Sequence, residues 1–251
     1  MSKKTHFKKQ KEYFEKDLSF YENYDKSLNA WRLSYIKRIK KALHYKYKKK
    51  TIVDVGTGSG YVAIEMAKLD SSVLATDIVE STLKNIIFYA KKKKLKVKTL
   101  ICPAEKIPIK AKTADLVVAN SVLEHIPNES AAIIEWKRIT KNNGKIFVTI
   151  PLSFKYIWPF FWLVNYLYDR MLGHLRRYDL NSLQKKFGLE IEQVYYTGHL
   201  IKFLWFLISR PFLGGIRSSS KIDYFFEDLD QKFENIPFGA SNLVVIFKKE
   251  K

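Results

Sequence analysis

The chain has 251 residues, of which 47% are apolar and 15% aromatic, and carries a formal charge of +20 at pH 7. That apolar share excludes a disordered chain, and the length fits one domain with an elaborated periphery. The single cysteine, Cys102, excludes an internal disulfide and any multi-cysteine zinc site and fits a reducing cytosol, while the lysine-driven charge points to an anionic partner: nucleic acid, anionic lipid head groups or a phosphorylated substrate.

Residues 1–50 are charged and aromatic, without an apolar segment of the signal-peptide kind, so no signal peptide is expected. Two helices are predicted there as a leader to the main domain. In the second, Leu28, Trp31, Tyr35, Ile36, Ile39 and Leu43 fall near one face, with Arg32, Lys37, Arg38, Lys40 and Lys41 mostly on the other. This helix is expected to pack on the edge of the main domain. Tyr21, Tyr24 and Tyr35 would either close over a bound ligand or simply pack.

Thr51 to Val55 is short, apolar and mostly β-branched, which predicts a buried strand. Gly56, Gly58 and Gly60 then turn the chain, and Tyr61 to Lys68 has helical periodicity. A strand, a glycine turn and a helix N-terminus let backbone N–H groups approach a ligand closely. In a dinucleotide site the turn faces a pyrophosphate, which Asp54 would repel. S-adenosylmethionine (SAM) has no phosphate and carries a sulfonium and an ammonium, which Asp54 would attract. Asp77 ends the apolar run Val73-Leu74-Ala75-Thr76 about one β-α-β step later, where a carboxylate can accept both ribose hydroxyls.

On these residues the chain resembles the class I SAM-dependent methyltransferases. The resemblance implies a Rossmann-like α/β fold: a doubly wound, seven-stranded sheet whose last strand inserts antiparallel between the previous two. It also implies SAM as cofactor, held by Asp54, Gly56, Thr57, Gly58, Gly60, Asp77, Ile78, Ala104, Glu105 and Asn120. Two units are expected, a helical leader over 1–50 and the methyltransferase domain over 51–251.

Ser81 is the expected N-cap of a helix reaching Lys91 to Lys94, whose charges suit a helix C-terminus or, less readily, a nucleic-acid contact. Val97 to Ile101 is the third strand. The loop Cys102 to Pro108 resembles the one that flanks the adenine in the family. An aspartate that many relatives place there is Pro103 in this chain, so the adenine amino contact is either missing or supplied by Glu105 or by backbone. Cys102 follows the third strand rather than the fourth, unlike the cysteine of methyltransferases that attack pyrimidines.

Asp115 to Ala119 predicts the fourth strand, and ligands in doubly wound sheets bind beyond the strands' carboxyl ends. Asn120, Glu124 and His125 in the following loop are therefore expected near the transferred methyl. The L-E-H-I-P stretch resembles the loop of relatives acting on small molecules and lipids, and the N/D-P-P-Y/F signature of base-amine methylation is missing. Ser130 to Thr140 is predicted helical with Asn143-Gly144 as its stop, followed by a strand from Lys145 to Ile150.

Beyond Pro151 the alternation breaks, and lid insertions are expected around 152–178 and 199–237. The longest uncharged run there, Tyr156 to Tyr168, has 13 residues, against the roughly 20 a spanning helix needs. It and the stretch His199 to Leu213 read either as helices lying in a bilayer surface or as a lid over an apolar substrate. Between them, His174, Arg176, Arg177 and Tyr178 form a G-H-x-R-R-Y sequence that recurs in similar methyltransferases. Its arginines suit a phosphate or carboxylate, or equally anchor the lid to acids of the core. Asp179 caps a helix from Leu180 to Phe187 that Gly188 stops. Leu189 to Tyr196 and Leu243 to Phe247 are the last strands, and 215–237 reads as a polar surface excursion.

Methyl transfer from a sulfonium chiefly requires placing the nucleophile and removing water. His125 is the expected base for a hydroxyl acceptor, with Glu124 second and His174 third. No run of His, Asp and Glu has metal-binding spacing. The sequence thus predicts a cytoplasmic SAM-dependent methyltransferase, peripheral at the membrane's inner face, acting on a lipid, polyprenyl, quinone-like or lipid-linked saccharide. An RNA methyltransferase and a SAM-binding protein without transfer activity are the alternatives. The aromatics cluster with aliphatics instead of alternating with basic residues, which disfavours RNA.

Overall fold

The computed structural model describes residues 12, 28–202, 204, 205 and 221–250. Tyr21, Tyr24, most of the first leader helix and most of the second apolar stretch lie outside them.

Helix α1 (Ala30–Ala42) begins where Asn29 accepts the Arg32 N–H at 3.1 Å, and Lys40 and Lys41 complement its C-terminal dipole. Tyr35, Ile36, Ile39 and Ala42 bury its inner face. Arg38, expected on the solvent side, is buried: its guanidinium lies 3.0 Å from Glu234 and over the Tyr195 ring. An arginine stem can cover apolar surface while its head finds an acid, so periodicity alone misplaces it.

The remaining elements run β1 (Thr51–Val55), α2 (Tyr61–Ala67), β2 (Ser72–Asp77), α3 (Glu80–Lys92), β3 (Val97–Ile101), β4 (Ala114–Asn120), α4 (Glu129–Ile139) and β5 (Thr140–Pro151). After two 3-10 turns come α5 (Trp162–Leu172), α6 (Leu180–Phe187), β6 (Glu190–Thr197), α7 (Lys221–Gln231) and β7 (Asn242–Lys248). The strands form one sheet of order β3-β2-β1-β4-β5-β7-β6. Pairings from β3 to β5 are parallel, and β7 runs antiparallel between β5 and β6. This is the doubly wound architecture expected from the sequence.

Each central strand is buried on both sides, and alternate side chains go to opposite faces. Ile52 joins α1, α2 and α3 in one core, while Val53 and Val55 join α4 and α6 in the other. The order 1-4 at the centre reverses the winding, so β1 and β4 part at their carboxyl ends and open a crevice there.

Three local expectations change. Helix α3 is N-capped at Val79, not Ser81, and Asp77 accepts the Val79 N–H at 2.9 Å in place of a serine cap. Helix α4 runs directly into β5, whose first residue is Thr140, so Asn143-Gly144 lies within the strand's irregular start. The 215–237 stretch contains α7, an amphipathic helix with Glu227 and Asp230 buried against Lys202 at 2.6 and 3.5 Å. Its acids read as solvent-facing only while their cationic partner, distant in sequence, is left out.

Candidate active site

At the carboxyl ends of β1, β2 and β4 lies a cavity of about 560 Å³, a size that suits a cofactor and a small acceptor. Its floor is the glycine turn. Gly58 has φ +47 and no atom nearer than 3.9 Å to a Cβ placed on it, so the missing side chain opens space on the cavity side. Gly60 begins α2 at φ +70, where a Cβ would run into Ile86.

Asp77 stands at the cavity wall. One carboxylate oxygen accepts the Gly58 N–H and the other the Val79 N–H, both at 2.9 Å, which fixes the carboxylate across the turn. Burial raises its pKa, and these backbone donors oppose that rise. Lone pairs remain on both oxygens for the two hydroxyls of a ribose. Ile78, Cys102, Ala104, Glu105 and Asn120 line the same side, with Thr57 on the turn. Burial pushes the Cys102 thiol up to about 11, far from a thiolate nucleophile.

Asp54 is not part of this wall. It is buried behind the turn, accepts the Thr57 hydroxyl at 2.5 Å, and is bonded by the Ala63 backbone. The period-two alternation of β1 sends its side chain to the α2 face, so it braces the glycine turn and is not among the residues that line the cavity. Burial raises its pKa from 3.8 to about 7.

The other half of the cavity is closed by α1 and the lid. Trp31, Arg32 and Tyr35 reach it from α1, and Val164, Asn165, Tyr168 and Leu172 from α5. Lys202 and Asn242 reach it from beyond β6 and from β7. Apart from Tyr35, none of these carries a local sequence signal. They meet because α1 and α5 cross the strand ends, and the aromatic density of both segments was their one trace.

Glu124, on the 3-10 turn Leu123–His125, is 1% exposed and its pKa is pushed up to about 8 by burial, which the nearby Asp169 reinforces. His125 and His174 lie edge to face with ring centroids 4.8 Å apart. The Leu175 N–H donates to the Glu124 carbonyl at 2.8 Å, pinning the lid loop to the β4 turn. His174 Nδ1 lies 2.7 Å from Asp169, whose other oxygen takes the Arg177 Nε–H at 2.6 Å.

The arginines anchor the lid. Arg177 donates to Asp169, to Asn165 and to the Leu152 carbonyl and lies over the Phe154 ring. Arg176 donates to the Ile126 and Pro127 carbonyls and lies 3.3 Å from Glu129. The Tyr178 hydroxyl donates to Glu129 at 2.6 Å, and its ring is buried in the core. Of the four lid residues expected at the substrate, His174 and Arg177 line the cavity and Arg176 and Tyr178 do not.

Residues 53–148 match the family model of a methyltransferase domain. The chain is 34% identical over 119 residues to a ubiquinone biosynthesis O-methyltransferase of Rickettsia typhi, covering 47% of each chain. It is 31% identical over 110 residues to a ubiquinone/menaquinone biosynthesis C-methyltransferase of Burkholderia cenocepacia, covering 43% of this chain and 44% of that one. It thus spans about half the length of the curated relatives it matches. The fold is similar to that of Haemonchus contortus phosphoethanolamine N-methyltransferase 2 solved with SAM, at TM-score 0.58 and 15% identity, covering 85% of this chain and 53% of that one. With the strand order and the glycine turn facing Asp77, these matches show that residues 53–148 carry a methyltransferase domain of the class I SAM-dependent type.

Proposed function

We propose that this protein transfers the methyl group of SAM to an apolar acceptor of quinone or lipid type, and that it does so at an anionic membrane surface. The lid carries this reading. Helix α5 turns Val164, Tyr168 and Leu172 to the cavity, while Leu163 (67% exposed), Leu167 (56%) and Tyr166 stay open to the outside. Phe160 and Phe225 add exposed apolar area. A helix apolar on both sides, next to a chain of charge +20, suits an acceptor that enters from lipid. Among the described residues no helix is long and apolar enough to cross a membrane. The quinone biosynthesis in which two relatives are named agrees with such an acceptor.

The residues present fit SAM. Asp77 would hold the ribose hydroxyls, the Gly56–Thr57–Gly58 turn would pass beneath the methionine part, and Ala104 and Glu105 would flank the adenine. SAM supplies a methyl carbon already activated on a sulfonium. The protein's part is then placement and the removal of water. The α5 lid excludes water, and Glu124, His125 and His174 form the polar wall facing the acceptor's reactive proton.

The test uses purified protein, methyl-labelled SAM and total cell extract, with products separated into organic, nucleic-acid and protein fractions. Label in the organic fraction is expected. Label confined to RNA would replace this reading with nucleic-acid methylation, and bound SAM with no label in any fraction would leave a binding protein.

A further inference from the structure

The Glu124 side chain faces the cavity, is 1% exposed, and neither carboxylate oxygen has a hydrogen-bond partner in another residue. A carboxylate so placed is costly unless a cation meets it. Arg177, the nearby guanidinium, directs its donors to Asp169, Asn165 and the Leu152 carbonyl. The site therefore has a buried acid whose partner is not a side chain.

Two histidines complete the geometry. One ligand atom from each of Glu124, His125 and His174 lies within 4.8 Å of the others. His174 is also oriented from behind. The Asp169 carboxylate, which also accepts two Arg177 N–H groups, lies 2.7 Å from His174 Nδ1, so Nδ1 donates to it and Nε2 keeps its lone pair. A carboxylate behind a histidine in this way is the usual support of a metal-binding imidazole. Arg177 grips that carboxylate through two nitrogens, and the His174 N–H is tied to the Asp169 carbonyl at 2.9 Å. Both ends of the loop are thus fixed without any ligand.

We propose that Glu124, His125 and His174 bind one divalent transition-metal ion of the zinc or cobalt type, with an open coordination position facing the cavity. Two imidazoles and one carboxylate suit these ions better than magnesium, which prefers oxygen ligands. Bond lengths of about 2.1 Å put tetrahedral ligands about 3.4 Å apart, so side-chain rotations of about 1 Å close the site. An acceptor hydroxyl at the open position would ionise more readily, as metal-bound water does. That last consequence rests on the methyltransferase reading, whereas the ion site does not. His174 lies far from Glu124 and His125 in sequence, which is why spacing showed no such group.

The full chain, without an affinity tag and freed of metal by chelation, is titrated with Co²⁺ while visible absorption is followed, and Zn²⁺ is then added in competition. One equivalent of Co²⁺ with ligand-field bands displaced by Zn²⁺ is expected. E124Q and H174A should each weaken Co²⁺ binding at least 100-fold, and D169N about 10- to 100-fold. SAM affinity is measured on every variant and is expected to hold, which shows that the variants fold. Absence of ligand-field bands in wild-type protein that binds SAM would overturn the ion site, as would Co²⁺ binding unchanged in E124Q and H174A. Failure of wild-type protein to bind SAM would instead overturn the methyltransferase reading, whatever the Co²⁺ titration gives.

Discussion

The Lys202 ammonium lies 2.6 Å from the buried Glu227 carboxylate and 3.5 Å from Asp230, so one cation at the cavity edge neutralises two acids of α7. Asp230 is held at about 2, chiefly by the His199 hydrogen bond and the Lys202 charge against its burial, and it accepts the Gly198 and His199 N–H groups. The cluster ties the chain after β6 to α7, and α7 in turn packs on α1, whose Lys37 reaches Gln231 at 3.2 Å.

Lys202→Met should therefore destabilise the lid more than a surface lysine change does. It leaves acids buried without their cation, a loss of about 3–5 kcal/mol for a fully buried pair, reduced here to about 2–3 because Lys202 is partly exposed. Chemical denaturation measures it. The double change K202M/E227L should recover much of the loss, and equal midpoints for wild type and K202M would remove the cluster from the stability of the fold.

Asp77→Ala removes the two acceptors proposed for the ribose and leaves the Gly58 and Val79 N–H groups without their bonds. Hydrogen bonds to a charged group contribute about 1.5–3 kcal/mol, so SAM affinity should fall about 10- to 150-fold in calorimetry. Asp77→Asn keeps one acceptor oxygen and should lose less. Equal affinity in all three proteins would detach the cofactor from this carboxylate.

Asp54 makes stability depend on pH. Its pKa is raised from 3.8 to about 7, chiefly by burial, so between those values the folded chain holds a proton that the unfolded chain has released. Stability from this group is present at the acid end and is lost as pH rises from about 4 to 7, levelling off above. Asp54→Asn lacks that proton equilibrium. Melting curves from pH 5 to 8 should shift in the variant's favour relative to wild type as pH rises; parallel curves would contradict the assignment.

The outer face of α5 can be tested without touching the cavity. Leu163→Glu/Leu167→Glu changes two exposed side chains and should alter the melting temperature little. Co-sedimentation with anionic phospholipid vesicles should drop several-fold. Vesicle binding that persists in the variant would place the membrane contact elsewhere.

Much of the core was legible in the sequence because its signals are local. Thr51 to Val55 reads as a strand from β-branching alone, Gly58 and Gly60 announce a positive-φ turn, and Asp179 with Gly188 brackets α6, where the structure shows a capping box and a left-handed C-cap. Asp54 shows the limit of such signals. Its place before the glycines marks the turn correctly, yet which face its side chain takes depends on the sheet being covered on both sides. Arg176 and Tyr178 leave two readings open for a similar reason, since a motif next to a site looks the same whether its polar groups meet a ligand or, as here, Glu129.

The sequence by itself determined the fold class and the cofactor-binding turn, because strand, turn and helix signals span only a few residues and the parallel order follows from their alternation. Tertiary structure decided the rest. Only packing α1 and α5 over the strand ends makes a closed cavity, and only the folded lid brings His174 and Asp169 to Glu124 and His125. Contacts between residues distant in the chain depend on how helices cross the sheet, and no local pattern of residues encodes that crossing.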